Sequence, residues 1–200
     1  KVMLIDCGAN SEVRPSFLAQ FALMGSIYMQ RMEGIAAPRV GLVNNGAEPE
    51  KGTELTKAAY KLLREMPINF VGNAEGRDLV SGDFDVIVTD GFTGNVILKF
   101  MEGVAGVLTG MLKDELSRSW RAKLGAAIAM PAFRSFKKKM DYTEYGGALM
   151  LGVNGGVIKA HGSSNAKAIC STLRQAVGFI KADVVNVIKE EISKISLGDD

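Results

Sequence analysis

Histidine is nearly absent from this sequence and cysteine is scarce. His161 is the single histidine, and Cys7 and Cys170 are the only cysteines, among 200 residues. Two cysteines give neither a disulfide framework nor metal-ligand spacing, so a reducing cytoplasm is the expected compartment and neither a metal nor a cofactor is expected. One histidine leaves a Ser-His-Asp triad a single possible base, and no G-x-S-x-G elbow accompanies it. There is no G-x-x-x-x-G-K-[ST] loop and no strand-linked G-x-G-x-x-G, which weakens a nucleotide-kinase or dinucleotide reading. No signal-peptide pattern is visible, and no apolar run reads as long enough to span a bilayer. A formal net charge of +2 is too small to imply nucleic-acid binding.

What is present is an ordinary apolar content of 47% and a regular alternation of short apolar runs with helical stretches. Strands are expected at Lys1–Asp6, Arg39–Val43, Ile68–Val71 and Phe84–Thr89. Helices are expected from Pro15 through Met32 and over Glu54–Glu65, with a further one starting at Val96. This alternation is that of an α/β sheet covered by helices on both faces, a single domain over 1–200. Residues 104–140 break the rhythm. Val104, Leu108, Leu112, Leu116 and Trp120 recur at helical spacing, and residues 113–139 hold eight basic and two acidic side chains. Further on, Ala148–Val153 and Val157–Ala160 read as a hairpin, Ser163 or Ser164 as the cap of a helix to about Ile180, and Asp183–Ile195 as a helical tail.

Four strands end in small polar residues. These ends are Asp6-Cys7-Gly8-Ala9-Asn10, Asn44-Asn45-Gly46, Gly72-Asn73-Ala74-Glu75-Gly76-Arg77-Asp78 and Asp90-Gly91-Phe92-Thr93-Gly94-Asn95. Ligands of open α/β sheets bind outside the carboxyl ends of the strands, where glycines permit close approach and helix N-termini favour anions. Asn and Gly are also the commonest turn residues, but four such ends together favour a ligand cleft. Cys7 reads as a nucleophile or, more commonly at such a place, as a small buried hydrophobe. His161, two residues after Lys159, reads as an acid–base or anion-binding group or as a structural histidine. Lys159 and His161 are expected on one strand face. The 104–140 segment is a core or dimer helix, a protein-docking surface or a membrane-surface element.

Several blocks together carry a resemblance. They are Gly25-Ser26-Ile27-Tyr28, Pro38-Arg39-Val40-Gly41-Leu42, Gly52-Thr53-Glu54-Leu55-Thr56-Lys57, Phe70–Asp78, Asp90–Asn95, Tyr145-Gly146-Gly147-Ala148, Leu151–Gly155 and Lys159-Ala160-His161-Gly162-Ser163-Ser164. In this order they resemble the phosphate acyltransferase family of fatty-acid and phospholipid synthesis, over residues 2 to about 180. Family members begin with a Gly-rich strand end, D-A-M-G-G-D, which has no counterpart here. The resemblance therefore covers the larger, carboxyl-terminal part of such an enzyme, and the chain is expected to be a piece of something longer.

The resemblance implies a three-layer α/β fold like that of isocitrate and isopropylmalate dehydrogenases, with a protruding amphipathic helical segment. It implies a cytoplasmic homodimer, peripherally associated with the membrane. The implied reaction transfers a fatty acyl group from acyl carrier protein to inorganic phosphate, giving an acyl phosphate for a membrane glycerol-phosphate acyltransferase. Phosphate is already a nucleophile at neutral pH, so the protein must position it and stabilise an oxyanion. That work falls to Asn10, Asn73, Asn95 and Asn154 with Gly8, Gly91 and Gly94. Lys159 or His161 would offset phosphate charge or protonate the departing thiolate, and Glu75 and Asp90 would orient donors. Arg118, Trp120, Arg121, Lys123, Arg134, Lys137, Lys138 and Lys139 would meet the acidic carrier protein or anionic lipid. A short-chain enzyme using coenzyme A thioesters and a non-enzymatic membrane-surface scaffold are the rival readings.

Overall fold

A computed structural model describes residues 1–140, 146–162 and 164–195, of 137–140 the backbone only. The chain is α/β. Four parallel strands, β1 (Met3–Ile5), β2 (Val40–Val43), β3 (Phe70–Ala74) and β4 (Val86–Val88), form one sheet in the order β1-β4-β2-β3. Six helices accompany them: α1 (Pro15–Glu33), α2 (Glu54–Glu65), α3 (Gly91–Ser117), α4 (Trp120–Met140), α5 (Ala166–Lys181) and α6 (Val184–Ser193). Strands β5 (Ala148–Met150) and β6 (Val157–Lys159) make a separate two-stranded sheet. The described residues divide into two compact units. One contains 1–96, 150–157 and 177 onward; the other contains 97–149 and 158–176.

The first unit holds the sheet. Helices α1 and α2 pack against each other, α1 against β1 and β4 and α2 against β3. Helix α1 starts at Pro15, whose fixed φ suits a first helical position, and ends at Gly34 in the left-handed conformation (φ 71°). It is buried on most sides, between the sheet and α6. Gly25 lets it close onto β4, since a Cβ there would stand 2.6 Å from Val86 Cγ1. The strand cores Val40, Leu42, Val86, Ile87 and Val88 are fully buried. At the amino ends of β2 and β4, Asp85 accepts from the Arg39 backbone N–H (2.8 Å) and Nε (3.0 Å), which tethers the two strands side by side.

Three element boundaries differ from the sequence reading. Strand β3 begins at Phe70 and runs through Gly72 and Asn73, which read as the turn beyond it; they pair with Gly41 and Leu42 past a register shift. Helix α3 begins at Gly91, so the block Gly91–Asn95 is its first turn and not a loop. Helix α5 is capped by Asn165, which accepts from Ala168 N–H at 3.0 Å; Ser163 lies outside the described residues.

In the second unit, α3 continues to Ser117 without a break, and its only buried residues, Gly91 and Gly94, belong to the first turn. Phe100, Val107 and Leu108 of α3, Trp120 and Ile128 of α4, and Leu173 of α5 are all more than 60% exposed. Within this unit the 104–140 segment is therefore not a core helix. By length and apolar content alone α3 is also sufficient to cross a membrane, contrary to the expectation that no run reached that length.

Candidate active site

The sheet order makes neighbours of two strand ends far apart in sequence. Where β1 and β4 finish, Asp6 N–H donates to Thr89 C=O (2.9 Å) and Thr89 N–H to Ile5 C=O (2.8 Å). Asp6 is buried. Its carboxylate accepts from the N–H groups of Gly8 (2.9 Å), Ala9 (3.0 Å) and Asn10 (2.6 Å), and from Asn10 Nδ2 (2.9 Å). Burial alone would raise its pKa; the N–H donors of Ala9, Asn10 and Gly8 outweigh that and hold it below the usual carboxylate value. The glycine-rich donors of this end thus turn inward onto Asp6, because a buried carboxylate must be satisfied before any outside anion.

The second wall is the start of α3. Gly91 N–H donates to Asn10 C=O (2.8 Å), stitching the two loops together. Asp90 caps the helix, accepting from Thr93 N–H at 2.8 Å through its side chain and from Gly94 N–H at 3.0 Å through its carbonyl. Both glycines are sterically required. A Cβ on Gly91 would stand 2.7 Å from Asn10 O, and one on Gly94 would collide with the Asp6 carbonyl. Gly8, at φ 122°, faces Asn95, whose Cβ and Cγ lie 3.6 Å from where a Gly8 Cβ would be. Gly8, Asn10, Asp90, Gly91, Gly94 and Asn95 therefore form one cluster. Asn10 and Asn95 are exposed at its rim, and the positive end of a 27-residue helix points into it. Such an arrangement suits an anion or a developing oxyanion.

Cys7 is the neighbour of this cluster, and it is no ready nucleophile. Burial, with the charge of Asp6 adding, pushes its thiol up to about 11, and its Sγ donates to Leu4 C=O at 3.3 Å.

A second group sits at the ends of β2 and β3. Asn73 is buried and donates from Nδ2 to Glu48 C=O at 2.7 Å. Asn44 N–H donates to Ala74 C=O (2.9 Å), and Asn44 Nδ2 to Lys51 C=O (3.0 Å). Glu75 N–H donates to Asp78 (2.8 Å), and Arg77 Nη2 donates to the Glu75 carboxylate (2.5 Å). Glu75 is thus tied into the turn Gly76–Val80.

The other sequence-derived residues fall elsewhere. Asn154 belongs to the first unit and lines a cavity of about 240 Å³ with Phe179, Val185, Ile188 and Ile192. Lys159 and His161 belong to the second unit, both exposed. Strand β6 stops at Lys159, so the two do not share a strand face, and His161 C=O accepts from Ser164 N–H (2.9 Å). Arg118, Trp120, Arg121, Lys123 and Arg134 are exposed on α4 and the turn before it, with the Arg121 guanidinium 5.4 Å from the Trp120 ring centre. Lys137, Lys138 and Lys139 lie on α4, their side chains outside the described residues. Asp6, read only as part of the first strand end, is the residue to which the sequence reading gave no role of its own. Its signal was an acidic residue closing an apolar run, with glycine two residues on.

Comparison with known proteins bears on what such a cluster serves. A family model described as fatty acid synthesis protein matches residues 1–187. Phosphate acyltransferase from Clostridium tetani is 51% identical over 96% of this chain, and that from Clostridium perfringens is 52% identical over 97%. Phosphate acyltransferase from Thermoanaerobacter pseudethanolicus is 52% identical over 99%. The chain spans 58–59% of the length of these relatives. On the match over 187 of its 200 residues, the chain belongs to the fatty acid synthesis protein family, alongside phosphate acyltransferases.

Proposed function

We propose that this chain is the carboxyl-terminal part of an enzyme that transfers a fatty acyl group from acyl carrier protein to inorganic phosphate, releasing acyl phosphate for phospholipid synthesis. The observation that carries the reading is the alignment of nearly the whole chain with proteins named phosphate acyltransferase. The isocitrate dehydrogenase-like three-layer architecture is part of the same reading.

The strand-end cluster supports it physically. The reaction needs no covalent intermediate; it needs a phosphate held beside a thioester carbonyl, and a preorganised site for the oxyanion. Asn95 in the first turn of α3, which Asp90 caps, and Asn10 in the loop beside it, which Asp6 holds, are the donors for those charges. Asn154, in the same unit, is a third amide for the acyl end. The exposed apolar faces of α3, α4 and α5 fit a homodimer, and the basic stretch Arg118–Lys139 fits an acidic carrier protein or the anionic membrane surface of a cytoplasmic, peripherally bound enzyme. The first turn of α3 is clamped to the end of the sheet, which favours an interface role for that helix over a membrane span.

The test is mass measurement of acyl phosphate formed from long-chain acyl carrier protein and phosphate, with this chain and with a protein of its relatives' full length. Phosphate-dependent product from the carrier thioester is expected. Product from coenzyme A thioesters alone would move the reading to a short-chain enzyme, and no phosphate-dependent cleavage by either protein would overturn it.

A further inference from the structure

The cavity beside Asn154 lies wholly within the first unit and shares no residue with the strand-end cluster. Its volume is about 240 Å³, and it is bounded by the loop after β5, the end of α5, and α6. Phe179 and Ile188, 2% and 5% exposed, form its floor, and the half-buried Leu151, Val185 and Ile192 line its walls. Among the described residues no acidic side chain lines it; its polar lining is Asn154, Lys189 and Ser193. The Ser193 hydroxyl donates to Glu190 C=O at 2.8 Å. Asn154 and Lys189, both exposed at the mouth, make no hydrogen bond or ion pair among the described residues. The acids next to Lys189, Glu190 and Glu191, are both taken by Lys194 Nζ, at 2.8 and 2.9 Å. An apolar hollow offers water too few partners to hold it. Apolar walls with a few polar groups at the rim are the ordinary form of a small-ligand site.

We propose that this cavity binds a single alkyl chain with an anionic head, the chain against Phe179 and Ile188 and the head at Lys189 and Asn154. Charge decides the head: the one ionisable group at the mouth is a cation with no acid to meet it. Size decides the chain. At about 30 Å³ per methylene, close to the share of a water molecule, the cavity has room for about eight. A second chain has no space beside the first, so the ligand is a single-chain anion and not a two-chain lipid. A fatty carboxylate and an acyl phosphate share this chemistry. The inference goes beyond the acyl-transfer reading and rests on it only for acyl phosphate as a source.

The experiment is titration calorimetry of this chain, and of a protein of its relatives' full length, with straight-chain carboxylates from hexanoate to tetradecanoate. Affinity is expected to rise about fourfold per added methylene up to decanoate and to flatten beyond it. Decanoate is expected to bind about fivefold tighter than decanol, and Lys189→Gln to remove that difference. Val153 lines the cavity from the exposed loop, so Val153→Glu is expected to weaken decanoate about tenfold with the circular dichroism unchanged. Decyl phosphate separates the sources: binding tighter than decanoate assigns the site to acyl phosphate, and weaker binding assigns it to a fatty carboxylate. Affinity independent of chain length, or a decanoate affinity that neither variant changes, overturns the inference. So does binding by this chain that the full-length protein lacks, because the enzyme's own remainder then fills the cavity. Where a variant does not fold, the chain-length series on the unaltered protein decides. Binding is read without turnover, so failure of acyl transfer leaves this result standing, and failure to bind leaves the acyl-transfer reading standing.

Discussion

At the scale of single residues, Asp6 organises the site. Four N–H groups converge on one buried carboxylate, and bonds of this kind to a charge are worth about 1.5–3 kcal/mol each, though not additively. Asp6→Asn is expected to cost about 2 kcal/mol at pH 7 by urea unfolding. The sign of its pH dependence follows from the folded carboxyl lying below its ordinary value of 3.8. The stabilisation is fully present above that value and is lost as pH falls through the folded value. The gap between the two proteins should therefore close in acid, and a gap independent of pH down to 2 would show that charge is not what holds the loop. Cys7 gives the second residue-scale prediction. With its thiol near 11, about one molecule in a thousand carries the thiolate at pH 8. A disulfide-exchange reagent should label the exposed Cys170 about tenfold faster or more. Cys7→Ala should keep acyl transfer, and abolished transfer with an intact fold would restore the nucleophile reading.

Elements show what was legible and why. Helix α2 matched its expected bounds of Glu54 and Glu65 because its signals are local: a Thr53 side chain accepting from Thr56 N–H, then apolar residues on one face. Helix α1 was equally readable from Pro15. The start of α3 was not, because two glycines and an asparagine look like a loop to any local measure. Tertiary packing overrides that. Gly91 and Gly94 are there because the β1 end lies against them, and that adjacency depends on sheet order, which no local pattern encodes. The same reason hid Asp6 and the strand character of Gly72 and Asn73, whereas Asn10, Asp90 and Asn95 were visible as strand-end residues. A contrast within one helix tests this. Gly91→Ala and Gly94→Ala should destabilise by about 1–3 kcal/mol, with Gly94 the worse because its Cβ would press far closer to backbone, onto the Asp6 carbonyl. Gly103→Ala, with nothing within 4 Å, should stabilise by about 1 kcal/mol through helix propensity. Equal effects at all three positions in urea unfolding would mean that packing does not set the helix start.

The whole molecule adds what neither residue nor element decides, namely which of its surfaces face solvent and which face partners. Apolar side chains on α3, α4 and α5 lie in the open, and contiguous patches of this kind on soluble proteins mark interaction sites. Beside them the Trp120–Arg121 pair opens a strongly basic stretch on a chain that is otherwise mildly acidic. Apolar area drives association with little dependence on salt, while exposed charges act through a field screened within about 8 Å at physiological ionic strength. The two contributions are therefore separable. Val107→Glu with Leu108→Glu should lower self-association in sedimentation at any salt concentration. Replacing Arg118, Arg121 and Lys123 by Glu should leave self-association alone and weaken acyl carrier protein binding about tenfold at low salt, with the difference fading above about 0.5 M. If that triple variant binds carrier protein normally yet loses affinity for vesicles of anionic lipid, at roughly 1 kcal/mol per basic residue, the stretch belongs to the membrane surface. If carrier binding falls and vesicle binding holds, the basic stretch is where the acidic donor protein lands.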